Sequence, residues 1–226
     1  IYKIFQIIKK RFIHYLDKKR ISKFKNVYRN KKLIFKVLDM GYVTRFRAET
    51  FESKEPDTLK WIESFEPKDT FLDIGANIGI YSLFAAKHNH KVISVEPDAL
   101  NYALLNLNIR ENNLSSKVKA YSVAMNDLKK FSSFNISSYE WGGALNSFDN
   151  SLDYKGNRFK PVHIQGVYGL PLDDFLYQIN FSPSHIKIDV DGNEFFIIKG
   201  SLKTLASNQL KSFLVELDES KKDYKE

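Results

Sequence analysis

The chain has 226 residues with 43% hydrophobic and 14% aromatic content, enough for one α/β domain with a sizeable core. It has no cysteine, which excludes disulfides, thiolate metal sites and a cysteine nucleophile, and fits a reducing compartment such as the cytoplasm. The net charge of +8 is uneven: residues 1–36 hold 13 Lys and Arg against the single acid Asp17, whereas residues 37–226 hold 22 Lys and Arg against 26 Asp and Glu, so the basic balance is no nucleic-acid signal from the body.

Residues 1–36 read as a basic arm and 37–226 as the folded domain. In the arm, Ile1, Ile4, Phe5, Ile8, Phe12, Tyr15 and Leu16 recur at helical spacing between lysines and arginines. Such a helix suits the inner surface of an anionic membrane, packing on its own domain, or self-association; nucleic acid is a weaker alternative. No apolar run reaches the roughly 18–20 residues of a membrane span, and Lys3, Lys9, Lys10 and Arg11 interrupt any signal-peptide pattern.

Residues 33–47 read as two strands around a turn at Asp39-Met40-Gly41. Leu59, Trp61, Ile62 and Phe65 then predict a helix beginning near Pro56. Phe71, Leu72 and Ile74 mark a strand that enters a glycine-rich turn, followed by a helix and a strand (Val92, Ile93, Val95) ending at Glu96. A helix to about Asn112 should bury Leu100, Ala103, Leu104, Leu107 and Ile109. Residues 118–125 read as the third strand, and the Ser-, Asn- and Gly-rich stretch 126–160 as an irregular insertion over the ligand face. A strand at 161–169, a short helix at 171–179, a fourth strand at 185–190, its helix at 192–206 and a fifth strand at 212–217 complete the pattern. This alternation predicts an α/β domain with a doubly wound, mainly parallel, Rossmann-like sheet. Ligands of such sheets bind beyond the strands' carboxyl ends, so Asp73, Glu96, Asp127, Asp189 and Glu216 are expected along one rim.

The turn reads Asp73-x-Gly75-x-Asn77-x-Gly79, not the GxGxxG of dinucleotide sites. Gly75 lets a ligand approach the backbone. A pyrophosphate would be repelled by the extra carboxylate of Asp73, while an ammonium group would be attracted. S-adenosylmethionine (SAM) carries an amino-acid tail and a sulfonium but no phosphate, and Glu96 stands where a carboxylate can accept both ribose hydroxyls. The plainer reading is that the glycines only make a tight turn.

In IKIDVDGNE (186–194), Ile186, Ile188 and Val190 alternate with Lys187 and Asp189. A lysine inside a central strand needs a partner, and Asp189 is the nearest. The pair either organises the fold or holds an acceptor hydroxyl and helps remove its proton. Asp191 and Glu194 hint at a calcium loop, but Gly192 comes too early for an EF-hand; Asp191 as a helix N-cap is the expectation, and no metal site is assigned. His14, His88, His90, His163 and His185 lack metal-ligand spacing. Methyl transfer from SAM needs no protein nucleophile, which agrees with the absence of a GxSxG elbow.

Residues 41–217 resemble the FkbM family of SAM-dependent methyltransferases. The resemblance rests on YVTRFRAETFESKEPDTLKWI, FLDIGANIGIYSL, VEPD, PLDDFL, LVEL and above all HIKIDVDGNEFFIIKGS. It implies O-methylation, often of sugars in polysaccharide biosynthesis or of hydroxyls on small molecules. It further implies that Asp73, Gly75, Ala76, Asn77 and Gly79 hold the methionine part, and Glu96 with Pro97 the ribose. Asp127, in Ala124–Asp127, would border adenine, and Glu55 would approach the cofactor from the amino-terminal side. Tyr139, Trp141, Gly142, Asp191 and Glu216 would line the acceptor site, with Asp189 and Lys187 catalytic. Two departures stand out. Asp191 replaces the family's more usual Glu, and residues 218–226 cannot supply the superfamily's closing antiparallel strand pair, so a fragment or a trimmed sheet is expected. The competing readings are a nucleic-acid methyltransferase, which the missing Asn/Asp-Pro-Pro-aromatic motif disfavours, and a non-catalytic membrane-surface binding domain.

Overall fold

A computed structural model describes residues 23–152 and 155–216. The amphipathic pattern of residues 1–16, His14 and the carboxyl-terminal residues 217–226 lie outside the described residues. No helix among the described residues is long and apolar enough to cross a membrane.

The chain begins with an antiparallel hairpin, β1 (Phe24–Arg29) and β2 (Lys32–Leu38). Three short helices follow: α1 (Tyr42–Glu49), α2 (Phe51–Lys54) and α3 (Pro56–Glu63), the last with its proline in the first turn as expected. The predicted second strand around Asp39–Gly41 is thus a helix. Tyr42, Thr44 and Phe46 look like strand alternation, but Arg45 N–H bonds to the Gly41 carbonyl, and Tyr42 and Phe46 stack one helical turn apart. The hairpin also crosses the boundary drawn at residues 36 and 37 and belongs with the body, since Leu38 N–H donates to the buried Asn108 side chain.

The central sheet takes β3 (Thr70–Ile74), β4 (Lys91–Val95), β5 (Val118–Tyr121), β10 (His185–Ile188) and β11 (Ser212–Val215), in spatial order β11-β10-β3-β4-β5, all parallel. The order reverses between β3 and β10, the topological switch point where doubly wound sheets bind ligands. Crossover helices α4 (Ile80–Lys87) and α5 (Ala99–Glu111) cover one face together with the hairpin. Helices α6 (Leu172–Ile179) and α7 (Glu194–Lys199) cover the other, while α8 (Leu202–Leu205) packs beside α6. Strand alternation divides the core accordingly: Phe71 and Val92 face the first layer, and Leu72, Ile74, Ile93, Ile186 and Ile188 the second.

Four further expectations change. Residues 118–125 break into β5 and β6 (Ala124–Met125), which leaves the central sheet to pair with β9 (His163–Leu170). The insertion is more regular than its composition suggests: β7 (Lys130–Ile136) and β8 (Ser147–Phe148) complete a four-stranded sheet, ordered β6-β9-β7-β8, around Phe134, Ile136, Phe148 and Val167. In α5 the buried face includes Asn101, Leu105 and Asn108, and Ala103 is exposed. The helix expected over 192–206 is two, interrupted at Gly200-Ser201.

Candidate active site

The glycine turn at the end of β3 is held from both sides. Gly75 and Ala76 N–H donate to the Val95 carbonyl, and Asn77, in the left-handed region at φ 50°, donates its N–H to Glu96 Oε2 at 2.7 Å. Gly75 has φ 80°, and a Cβ there would collide with the carbonyl of Asp189, so the turn lies directly on the end of β10. Gly79, at φ 90°, starts α4, and a Cβ there would strike Leu105, so it serves the packing of α4 on α5.

Beyond this turn opens a cavity of about 270 Å³. The strand ends supply Gly75, Asn77, Glu96, Pro97, Asp189, Asp191 and Glu216, and the loop before β8 supplies Gly143, Ala144, Leu145 and Asn146. A narrower pocket of about 40 Å³ adjoins it through Arg47, Lys54, Gly75, Asn77 and Asp189, and adds Glu55, Ala76 and Tyr81.

A polar row crosses three strands beneath the turn. Register places Lys187 beside Asp73 and Asp73 beside Ser94. Ser82 of α4 donates to Asp73 Oδ2 at 2.5 Å and lies 2.7 Å from Ser94 Oγ. Lys187 is 1% exposed and donates to Asp189 Oδ2 at 2.6 Å, with its Nζ 4.9 Å from the centre of the Tyr81 ring. Burial pulls the Lys187 pKa down, but the charges of Asp189, Asp73 and Glu55 outweigh it and raise the group above the ordinary lysine value. Burial likewise pushes Asp189 up, yet Lys187 holds it below the usual carboxylate range. For Asp73 burial wins: it raises the group despite the opposing charge of Lys187 and the Ser82 hydrogen bond, and its Oδ1 is buried without a hydrogen-bond partner.

Three further rim acids are pushed up. Glu216 rises to about 7, first through the charge of Asp189 and then through burial. Burial lifts Asp191 to about 6 and Glu96 to about 8, in the latter case against the N–H groups of Asp98 and Asn77. One oxygen each from Glu55, Asp189 and Glu216 lie within 4.8 Å of one another, a grouping a divalent cation could use, although Lys187 already brings a cation to Asp189.

The family described as Methyltransferase FkbM domain matches residues 73–226, from the acid of the glycine turn onward. The chain belongs to the FkbM methyltransferase family. Among curated proteins none matches. Of solved structures, an FkbM methyltransferase from Methylobacillus flagellatus KT is similar at 18% identity and a TM-score of 0.43, over 65% of this chain and 32% of that one. TYW2 from P. horikoshii, in complex with MeSAdo, is similar at 20% identity and a TM-score of 0.33, over 45% of this chain and 36% of that one. The chain thus spans about a third of the length of these solved proteins.

The methyl donor of the FkbM family is SAM, and the residues present fit it. Each Glu96 oxygen accepts one backbone N–H, from Asn77 or Asp98, which leaves each a further lone pair for a ribose hydroxyl. Gly75 offers bare backbone, and Arg47 and Lys54 bring cations to the same wall as Glu55 and Asp189, matching the two charges of an amino-acid tail.

Several FkbM site residues stand elsewhere than expected. Asp73 lines neither pocket, because its place in the polar row puts it behind the turn. Asp127 pairs with Lys199 at 2.9 Å and also lies off the cavity. Tyr139 is 62% exposed against the His163 ring, and Trp141 packs on the hydrophobic core. Gly142 gives its backbone to Asn101 and Arg47, so the cavity wall begins one residue later. Asp191 is not a helix cap: at φ 57° its carboxylate accepts Leu145 N–H at 2.6 Å, and Asn193 precedes α7. Sequence reasoning missed Arg47, Lys54, Tyr81, Asn101 and Asn146. The YVTRFR segment held the signal for Arg47, but only with its true helical period.

Proposed function

We propose that this domain transfers a methyl group from SAM to a hydroxyl of a small-molecule or saccharide acceptor. The observation that carries the reading is the Lys187–Asp189 pair at the cavity wall with Glu216 beside it. SAM, when bound, supplies a methyl group already activated on sulfur. Glu96 would hold the ribose with Pro97 alongside; Gly75, Ala76 and Asn77 would face the methionine part, with Arg47 and Lys54 toward its carboxylate and Glu55 toward its ammonium.

A hydroxyl is a poor nucleophile until a base receives its proton. Asp189, kept ionised by Lys187, can accept a hydrogen bond from that hydroxyl and draw its proton away. Glu216 can share the proton, because two neighbouring carboxylates do not both ionise readily. Lys187 then keeps the electrostatics of the dyad balanced from behind. Asp191 and Asn146 give the wall polar atoms suited to a polyol.

The test has two stages. SAM or S-adenosylhomocysteine (SAH) should raise the melting temperature while NAD does not; no shift at millimolar ligand would sink the reading. Label from methyl-labelled SAM should then appear on a saccharide hydroxyl, and Asp189→Asn should lower kcat by about 10²–10⁴-fold with SAH binding retained. Label on an amine would reject the hydroxyl assignment.

A further inference from the structure

Around Glu96 the hydrogen bonds close into a ring. Asn77 N–H donates to Glu96 Oε2 at 2.7 Å, and the Asn77 side chain donates to the Gly143 carbonyl at 2.7 Å. The same carbonyl accepts Asn101 Nδ2 at 3.0 Å. Asn101 N–H donates to Asp98 Oδ1 at 3.0 Å, and Asp98 N–H returns to Glu96 Oε1 at 2.9 Å. Asn101 Oδ1 also accepts Gly142 N–H at 2.8 Å, so both ends of one amide grip two successive loop residues. Outside the ring, Asn146 donates to Asp98 Oδ2 at 3.2 Å, Arg47 to the Gly142 carbonyl at 2.8 Å, and Leu145 to Asp191.

Asn101 is 2% exposed and sits in the first turn of α5. A buried amide whose donor and acceptor are both engaged is expensive to disturb, because each lost bond leaves a polar group unsatisfied. The Asn101 bonds go to loop backbone, so they fix Gly142 and Gly143 regardless of the loop's side chains, while Leu145 N–H and the Asn146 side chain tie down the residues that follow. Leu145, held in the left-handed region at φ 64°, shows how far that path departs from a relaxed one. Because Glu96 belongs to the ring, its state reaches the loop. An ionised carboxylate is the stronger acceptor for Asn77 and Asp98 N–H, and hydroxyl donors arriving from a ligand favour the ionised form over the protonated one that burial favours.

We propose that Asn101 is a positioning residue that, through Gly142 and Gly143, ties the Gly143–Asn146 wall to the ribose acid, so that filling the cofactor site stiffens the acceptor wall and the cofactor binds first. The proposal rests on the cavity being the SAM site. It supplies the differential contact that any ligand-driven change of state requires.

Amide hydrogen exchange at Gly142 and Leu145, read by NMR with and without saturating SAH, tests it. In the wild type, SAH should slow exchange at both amides at least about tenfold, the effect of one added buried hydrogen bond. Asn101→Ala should abolish that protection and weaken SAH binding about tenfold by calorimetry. Asn108→Ala is the control: Asn108 is equally buried in α5 but serves Leu38 N–H and the Ile78 carbonyl, so its loss should lower the melting temperature and keep the SAH-induced protection. Unchanged exchange in SAH-bound wild type, or full protection in Asn101→Ala, overturns the proposal. Should Asn101→Ala fail to fold, the wild-type exchange alone decides. Absence of any binding heat with wild type would instead bring down the cofactor reading and this proposal with it.

Discussion

At the amino end of the central sheet, Asp69 accepts His185 Nε2–H at 2.9 Å, Lys211 Nζ at 2.8 Å and Glu66 N–H at 2.9 Å. His185 stacks on Phe65 at 3.7 Å and lies 2.8 Å from Ser212 Oγ, which in turn accepts the Trp61 indole N–H. Burial would raise Asp69, but Lys211 and His185 bring it down to about 2. At the carboxyl end of the same strands, Asp73 keeps an orphan oxygen behind the turn, and Glu96, Asp191 and Glu216 are all pushed up. The first cluster is satisfied and staples the sheet. The second crowds buried carboxyls with too little opposing charge, which is what a site built to meet a ligand's charges and hydroxyls looks like. Volume points the wrong way: a cavity of about 610 Å³ opens on the amino-end side, near Ser182 and Pro183, and is larger than the one at the glycine turn. The chemistry of the lining, not its size, separates the two.

The sharpest way to break this contrast is Lys187→Met. It should leave Asp189 and Asp73 without their buried counter-charge and destabilise the domain by about 3–5 kcal/mol in urea unfolding. A loss below about 1 kcal/mol would mean that the row tolerates uncompensated charge and that the contrast is overdrawn.

The two ends should also differ in the sign of their pH dependence. Asp69 has a folded pKa of about 2 against an ordinary 3.8, so its contribution is present above pH 3.8 and is lost as pH falls toward 2, about 2 kcal/mol in all. Glu96 and Glu216 have folded values of about 8 and 7 against an ordinary 4.5. Between pH 4.5 and 8 the folded chain holds protons that the unfolded chain has released, so stability should decline as pH rises through that window. Urea midpoints across pH 2–9 check both, and Glu96→Gln should flatten the upper slope while leaving the acid limb in place. The smallest effect is expected from Ser212→Ala, which removes an acceptor from Trp61 and a partner from His185 at the amino end: about 1–2 kcal/mol of stability, with SAH affinity unchanged.

How much of this was legible in the sequence followed the range of the interactions. The turn, the strand acids Glu96 and Asp189, and the partnership of Lys187 with Asp189 are local features of strand alternation, and the sequence spacing suffices to see them. The helical period of 42–49 was hidden because a strand pattern and a short helix share its apolar positions. Gly142 and Asn101 are 41 residues apart, and Gly142 and Arg47 95 apart, so no spacing rule joins them. Asp73 and Gly79 show a different limit: their residue types suit a ligand and a scaffold equally well, and the register with Lys187 and the approach of Leu105 are visible only in the fold.

On this account the carboxyl-end rim of raised acids, and not the stapled amino end, holds the cofactor. Calorimetric titration of SAH into wild type, Glu96→Gln and Asp69→Asn tests it most directly. Glu96→Gln replaces an acceptor oxygen with a donor facing a backbone N–H, and should weaken binding about 10–100-fold. Asp69→Asn should lower stability yet bind SAH as the wild type does. Equal affinity for wild type and Glu96→Gln, or a loss of binding confined to Asp69→Asn, would contradict the account.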